Sequence, residues 1–298
     1  MDEQNPLRGN VLLHPSFVTP HEFPAFVRAS ICRVVGGSML LSGTFTALCA
    51  LTTTHVASRA SCAISTSVSF VAFYHYVKLV AVREQTGSRV RLSKPGEVPF
   101  GQATELKVGW LDMAADAIRY SDWTVTLPVL VMEMHLLLTD APQPIQPVWF
   151  GIPWACTLTG IMIFLGAYSR FGTDELVPIR EDQRNSMVDG FARLSGLGAY
   201  IAACVCLFFI LYNLLGNLND ANDPTNGWVF AFSMPWIGYG LVSFTAMATR
   251  QFVPDGYPEW LSVFKDMSYG VLDVWSKAIF GVWVGAKALA LTDPIFVF

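Results

Sequence analysis

Seven long apolar stretches divide this 298-residue chain and limit what it can fold into. A helix needs about 20 mostly apolar residues to cross the hydrocarbon core of a bilayer, and each stretch is long enough. Inside lipid the backbone must satisfy its own hydrogen bonds, which stretches of this length achieve as helices. The sequence therefore predicts an all-α membrane protein, a bundle of seven transmembrane helices. The predicted spans are 30–54, 63–83, 108–138, 146–169, 193–217, 227–249 and 260–291.

The composition also indicates a bilayer environment. Hydrophobic residues make up 53% of the sequence and charged residues 14%, against about 25% charged residues in soluble domains. The net charge of −4, with no basic run, argues against nucleic acid as a partner. The six cysteines have no metal-ligand or disulfide spacing. We expect an integral, multi-pass protein of the cell membrane or an organelle membrane, with a bundle at 30–292 between an N-terminal segment, 1–29, and a short tail, 293–298.

The seventh stretch contains Asp273 and Lys277 near its middle. Each charge costs roughly 3 kcal/mol at mid-bilayer, so such residues face the bundle interior, pair with one another and usually mark function. A spacing of four residues puts both on one helix face. They are either a structural ion pair or a lysine that carries an aldehyde cofactor as a Schiff base, with the aspartate as its counter-ion.

The third stretch contains most of the remaining ionisable residues. Arg119, Asp122 and Thr126 share a helix face, because they are three and four residues apart. Glu133 follows Asp122 by eleven residues on nearly the same face, roughly 16 Å further along the helix. Two interior acids at this separation indicate two stations of a proton relay. The alternatives are a helix-end anchor for Arg119 and a packing role for Glu133.

Other stretches contain weaker signals. His75, within Tyr74-His75-Tyr76 of the second stretch, is either a packing residue or a functional partner of an acid. Pro235 predicts a kink in the sixth stretch. The link 83–107 contains the turn sequence Lys94-Pro95-Gly96, which predicts a small hairpin.

Two motifs resemble the microbial (type 1) rhodopsin family. They are Arg119-Tyr120-x-Asp122-Trp123-x-x-Thr126-x-Pro128 followed by Glu133, and Leu272-Asp273-Val274-x-x-Lys277-x-x-x-Gly281. Seven helices, with the lysine on the last and the acids on the third, extend the resemblance over nearly the whole chain. Within the family, Asp122, Thr126, Glu133 and the histidine His75 resemble the outward proton pumps of the proteorhodopsin and xanthorhodopsin type.

The resemblance implies that all-trans retinal is bound to Lys277 as a protonated Schiff base. Asp122 and Asp273 would form its counter-ion, ordered by Arg119. Asp122 would accept the proton from the Schiff base after photoisomerisation, with His75 and Thr126 adjusting its proton affinity. Glu133 would then return a proton from the cytoplasmic side.

The retinal pocket implied by the resemblance contains Trp123, Leu130, Tyr200, Pro235 and Trp236. Leu130 occupies the position of leucine in green-absorbing proteorhodopsins. Tyr200, in place of a glycine, argues against a carotenoid antenna. Lys265 stands where some archaeal pumps have a proton-release glutamate, which argues against a release cluster of that kind.

The function implied by the resemblance is a light-driven outward proton pump, which is a transporter and not an enzyme. Two alternatives stay open: a light-gated cation channel with acids at both positions, and a photosensory module that acts through a partner protein. The family also implies an extracellular N-terminal segment and a homo-oligomer, either a trimer or a pentamer.

Overall fold

The computed structural model describes residues 23–91, 102–138, 151–171, 186–216, 224–252 and 259–292. Most of the predicted N-terminal segment and the whole of the tail 293–298 lie outside these ranges. The turn of the predicted hairpin, Lys94-Pro95-Gly96, also lies outside them, whereas residues 83–91 and 102–107 of the same link belong to helices and not to strands.

Helices form all seven predicted spans, which confirms the predicted fold class. Five spans are single helices: α1 (Phe23–Thr52), α2 (Val56–Arg91), α3 (Gln102–Leu138), α4 (Ile152–Phe171) and α5 (Ser186–Gly216). The sixth span is divided into α6 (Pro224–Ser233) and α7 (Pro235–Phe252). The seventh consists of α8 (Glu259–Asp273), a π-helical turn (Val274–Ile279) and α9 (Phe280–Thr292). Within the described ranges, five of the spans are long and apolar enough to cross a membrane.

The sixth span is interrupted at Met234, directly before Pro235. A proline has no backbone N–H and its ring clashes with the preceding turn, so a helix bends or breaks at this point. Hydrogen bonds continue on both sides of the break. Met234 N donates to Phe230 O and Ile237 N donates to Met234 O, and both bonds are 3.1 Å long. The kink predicted from Pro235 is therefore a short break between two helices.

The π-helical turn of the seventh span contains Lys277. Such turns are rare, occur mostly as short insertions in α-helices and are frequent at functional sites. Ser276, Lys277 and Ala278 are all buried here. The turn changes the helical register beside the lysine, so residues before and after it face different neighbours.

Glycines allow α1 to lie close to the seventh span. A Cβ atom on Gly270 would come within 2.9 Å of Val35, and one on Gly285 within 2.7 Å of the Phe45 ring. Both distances are shorter than side-chain contacts allow. The small residues thus bring the α1 backbone close to α8 and α9, on either side of the lysine.

Candidate functional site

Lys277 lies between two carboxylates in the centre of the bundle. Its Nζ donates a hydrogen bond to Asp122 Oδ2 on α3 and lies 3.1 Å from Asp273 Oδ1 on its own helix. All three side chains are buried. Buried charges are tolerated when they are paired in this way. The structure therefore brings together the three residues that the sequence predicted as a lysine and its counter-ion.

The two carboxylates have different hydrogen-bond partners. Asp273 accepts hydrogen bonds from the hydroxyl groups of Tyr76 on α2, at 2.5 Å, and Tyr239 on α7, at 2.6 Å. Asp122 Oδ1 has no hydrogen-bond partner among the described residues. His75 Nδ1 lies 3.7 Å from this oxygen but hydrogen-bonds instead to Val71 O.

Thr126 and Arg119 were expected to act on the Asp122 carboxylate, but their side chains contact other groups. The Thr126 hydroxyl donates to the main-chain oxygen of Asp122, at 2.9 Å. The Arg119 guanidinium lies 2.9 Å from Asp266 Oδ1 on α8 and over the ring of Tyr269. Arg119 is thus directed toward the end of the bundle where α1 begins, which we call the N-terminal end.

The N-terminal end contains a buried ion-pair cluster that sequence reasoning missed. Asp266 is within 3.0 Å of Arg28, Arg83 and Arg119. Asp116 pairs with Lys265 and Arg170, at 2.9 and 2.7 Å. Asp112 pairs with Arg28 and Arg83. We name the set the N-terminal ion cluster; it consists of Arg28, Arg83, Asp112, Asp116, Arg119, Arg170, Lys265 and Asp266.

An apolar cavity of about 740 Å³ lies beside the lysine site. The cavity adjoins the lysine site through Trp123, next to Asp122, and through Tyr239, which bonds Asp273. Of the predicted pocket residues, Trp123, Tyr200 and Trp236 line it, while Pro235 and the buried residue Leu130 are not among its lining residues. Tyr200 also donates to Gly240 O, at 2.8 Å, which joins α5 to α7.

Glu133 lies on the opposite side of Lys277 from the N-terminal ion cluster. It is fully buried, and its Oε1 accepts a hydrogen bond from Ser65 on α2, at 2.6 Å. Its Oε2 has no hydrogen-bond partner among the described residues. A buried acid with one free oxygen and no basic partner in the described part of the chain is suited to hold and release a proton.

A second cavity, of about 670 Å³, opens near Glu133 at the far end of the bundle. Its lining includes Ser61 and Leu137, which are one helical turn beyond Ser65 and Glu133 respectively, and Lys287 on α9. The cavity therefore lies about one helical turn from the buried acid and its hydrogen-bond donor.

Several contacts of the site had little or no signal in the sequence. Tyr76 belongs to the Tyr-His-Tyr group that was singled out for its histidine. Tyr239 and Ser65 belong to apolar helices and gave no signal, because their partners are distant in the chain. The aspartates of the N-terminal ion cluster were recognisable as acids in an apolar span, but their pairing depends on how five spans meet.

Comparison with known proteins identifies the family. The model of the family described as bacteriorhodopsin-like protein matches residues 28–291, which is most of the chain. This chain belongs to the bacteriorhodopsin-like family. It is accordingly an integral, multi-pass membrane protein of the rhodopsin fold. Among curated protein sequences, none matches it.

Solved structures of other rhodopsins share the fold. A thermophilic rhodopsin superposes with a TM-score of 0.64 at 18% identity, over 91% of this chain and 95% of the other. Xanthorhodopsin, described as a light-driven ion pump with dual chromophore, superposes with a TM-score of 0.62 at 20% sequence identity, over 93% of this chain and 97% of the other. The rhodopsin of Coccomyxa subellipsoidea, described as a light-driven proton pump, superposes with a TM-score of 0.57 at 18% sequence identity, over 87% of this chain and 96% of the other. Identities this low show the common fold alone.

Members of the family bind retinal, and the residues of this rhodopsin fit that group. Lys277 is a buried amine next to an apolar cavity, and an amine is the group that links an aldehyde covalently. The indole nitrogens of Trp123 and Trp236, both on the cavity, have no hydrogen-bond partner among the described residues. Such a cavity suits a long apolar molecule.

Proposed function

We propose that this rhodopsin is a light-driven pump that moves protons outward across its membrane. The observation that supports this most is the position of Lys277, with Asp122 and Asp273 against its nitrogen and the buried acid Glu133 on the other side. Asp122 and Glu133 are about 16 Å apart along α3. If Lys277 loses a proton to Asp122 and regains one from Glu133, one proton moves toward the N-terminal end.

Lys277 would hold retinal covalently, and Trp123, Tyr200 and Trp236 would contact it in the apolar cavity. When bound, retinal supplies light absorption and the isomerisation that starts the transfer, and we propose the all-trans form as the resting isomer. The remaining steps are proton movements between side chains of the protein.

We assign proton acceptance to Asp122 because of its hydrogen bonds. Two tyrosine hydroxyls donate to Asp273, one to each carboxylate oxygen. Asp122 is hydrogen-bonded by Lys277 and has one oxygen without a partner in the described part of the chain. Once Lys277 is neutral, Asp122 loses its main stabilising charge, so it is the acid that takes the proton. His75, 3.7 Å away, would adjust this acceptor.

We assign proton donation to Glu133. Its burial, with no cation beside it among the described residues, favours the neutral acid, which holds a proton available for Lys277. The cavity lined by Ser61, Leu137 and Lys287 would supply the next proton from the adjacent aqueous phase. With the N-terminus outside, as the family resemblance implies, this sequence of transfers is outward. The extracellular position of residues 1–29 and the homo-oligomer stay predictions.

The N-terminal ion cluster favours a pump over a cation channel. Its described members comprise five basic and three acidic side chains, all interlinked by ion pairs. A cation that passed through this end of the bundle would meet an excess of positive charge, and rings of basic residues exclude cations from pores. A proton handed from one side chain to another needs no such pore.

Photocurrents under voltage clamp test the proposal. Cells that express the chain with retinal should give outward current at every accessible voltage under green light. A current that reverses with the ion gradient would identify a channel instead. A visible pigment without current would favour a sensor that acts through a partner.

A further inference from the structure

Buried hydroxyl groups line the contact between α1, α2 and the seventh span, in the region between Lys277 and Glu133. We name them the interior hydroxyl group: Ser42, Thr46, Ser65, Thr66 and Ser69. All except Thr66 are at most 2% exposed. Burying a hydroxyl group costs free energy unless it is hydrogen-bonded, so this concentration of hydroxyls is not explained by apolar packing.

All five of these side chains take part in a hydrogen bond between helices, unlike most serine and threonine hydroxyls in the described part of the chain. Ser38, Thr44 and Ser67 donate to the carbonyl four residues earlier in their own helix, which is the usual way for a helix to satisfy a hydroxyl in an apolar environment. In contrast, Ser42, Ser65 and Ser69 contact residues of neighbouring helices.

The contacts of the interior hydroxyl group approach both ends of the proposed proton transfer. At one end Ser65 donates to Glu133, at 2.6 Å. At the other end Ser42 donates to the main-chain oxygen of Ala278, the residue after Lys277, at 2.9 Å. Ser69 lies 3.4 Å from Ser42, and Thr66 donates to Thr46 at 2.9 Å.

Gly281 lies where Ser42, near Lys277, and Ser65, which bonds Glu133, come close to each other. It lies on α9, one helical turn beyond Lys277. A Cβ atom there would lie 2.7 Å from Ser42 Oγ, 3.6 Å from the Thr46 methyl group and 3.7 Å from Ser65 Cβ. Because Gly281 has no side chain, Ser42 and Ser65 approach the same point from α1 and α2.

We propose that the interior hydroxyl group, gathered around Gly281, is the route by which a proton passes from Glu133 to the Lys277 nitrogen. The proposal rests on the proposed function, because it needs Glu133 as donor. A hydroxyl both donates and accepts, so each one gains a proton on its oxygen and passes its own to the next group, directly or through a bridging water. Glu133 ends as a carboxylate, the lysine nitrogen gains one proton, and the hydroxyls are unchanged.

Paired serine substitutions test the route. After a flash, Ser42→Ala and Ser69→Ala should slow reprotonation of the Lys277 nitrogen by about 10- to 100-fold, the penalty expected for lost positioning. The matched controls are Ser38→Ala on α1 and Ser67→Ala on α2, whose hydroxyls bond only within their own helices. In the slowed variants the rate should also fall with rising pH, because the proton then comes from solvent.

A glycine pair tests the meeting point. Gly281→Ala should displace Ser42 and slow reprotonation, whereas Gly37→Ala, with nothing within 4 Å of its added methyl group, should not. Equal melting temperatures of the variants would separate a slowed route from a damaged fold.

Infrared spectroscopy of the retinal-free protein gives a readout independent of transport. The difference between the parent protein and Glu133→Gln identifies the carboxyl stretch of Glu133. Ser65→Ala should move this band to higher frequency, because the carbonyl loses its hydrogen bond, and Ser67→Ala should leave it unchanged. An unmoved band in Ser65→Ala would overturn the Glu133 end of the route.

The outcomes for the route and for the proposed function are separable. Glu133→Gln should slow reprotonation roughly 100-fold or more and leave the colour almost unchanged. If it does, and Ser42→Ala, Ser69→Ala and Gly281→Ala all match their controls, the route is wrong and Glu133 remains the donor. If Glu133→Gln leaves the rate unchanged, the donor assignment fails and the route fails with it.

Discussion

Asp273 accepts hydrogen bonds from two tyrosine hydroxyls, whereas Asp122, against the same lysine nitrogen, has one carboxylate oxygen without a partner among the described residues. Two acids of equal charge therefore differ in the number of carboxylate oxygens that other side chains already occupy. This difference is a property of the surrounding helices, since Tyr76 and Tyr239 come from the second and sixth spans.

Substitution of the two acids should give different results. Asp122→Asn removes the proposed acceptor, so deprotonation of the Lys277 nitrogen after a flash should be lost. Asp273→Asn removes a stabilising charge and should shift absorption to the red, while deprotonation continues. Flash spectroscopy and dark spectra measure both effects, and equal loss of deprotonation in the two variants would contradict the assignment.

Tyr76→Phe should change the colour of the pigment in the dark. The Tyr76 hydroxyl donates to the Asp273 carboxylate, so without it more of the carboxylate's negative charge acts on the Lys277 nitrogen, 3.1 Å away. A stronger counter-ion stabilises the ground-state charge, so absorption should shift to the blue. Tyr74→Phe is the control, since Tyr74 is 55% exposed. A dark spectrum that matches the parent protein would mean that the Tyr76 hydroxyl does not modulate this counter-ion.

Lys277→Ala should abolish pigment formation. The side chain supplies the only described amine against the Asp122 and Asp273 carboxylates, so no covalent link to retinal can form there without it. Absorption spectra after incubation with retinal measure the outcome. A retained visible band would contradict the assignment of Lys277.

Ala203→Trp should block the apolar cavity. Ala203 lines this cavity, and an indole ring at that position would occupy space that retinal needs, so regeneration of the pigment should fall strongly. Ile201→Trp adds a comparable ring two residues away on an exposed position and should regenerate normally. If both variants regenerate equally well, retinal occupies another part of the molecule.

Asp266→Asn should destabilise the protein more than any single surface change. Three arginines lie within 3.0 Å of this carboxylate, and removal of one partner from a buried ion pair costs about 3–5 kcal/mol. Thermal unfolding in detergent measures the loss. Glu84→Gln, an acid 52% exposed at the same end of the bundle, should change the melting temperature little.

The sequence predicted the spans and the central residues because both depend on local spacing. Asp273 and Lys277 share a helix face in any helix, and Asp122 and Glu133 lie on one stripe of α3. The pairing of Lys277 with Asp122 followed from the family resemblance, and the structure adds the contact itself.

Other parts of the site depend on contacts between distant segments. The direction of Arg119 is set by Asp266, which is 147 positions later in the sequence. The Ser65 contact with Glu133 joins the second and third spans, and helical spacing contains no information about which hydroxyl faces which acid. The break at Pro235 was predictable, because it depends on the residue itself.

The shared use of Asp266 by Arg28, Arg83 and Arg119 restricts how this end of the bundle can evolve. Effects of substitutions that share one partner do not add. Loss of the acid first would leave the three arginines to the two remaining acids of the cluster, Asp112 and Asp116, whereas loss of one arginine first leaves the carboxylate with two cations. The free-energy cost of replacing the acid therefore depends on how many of the arginines were replaced before it.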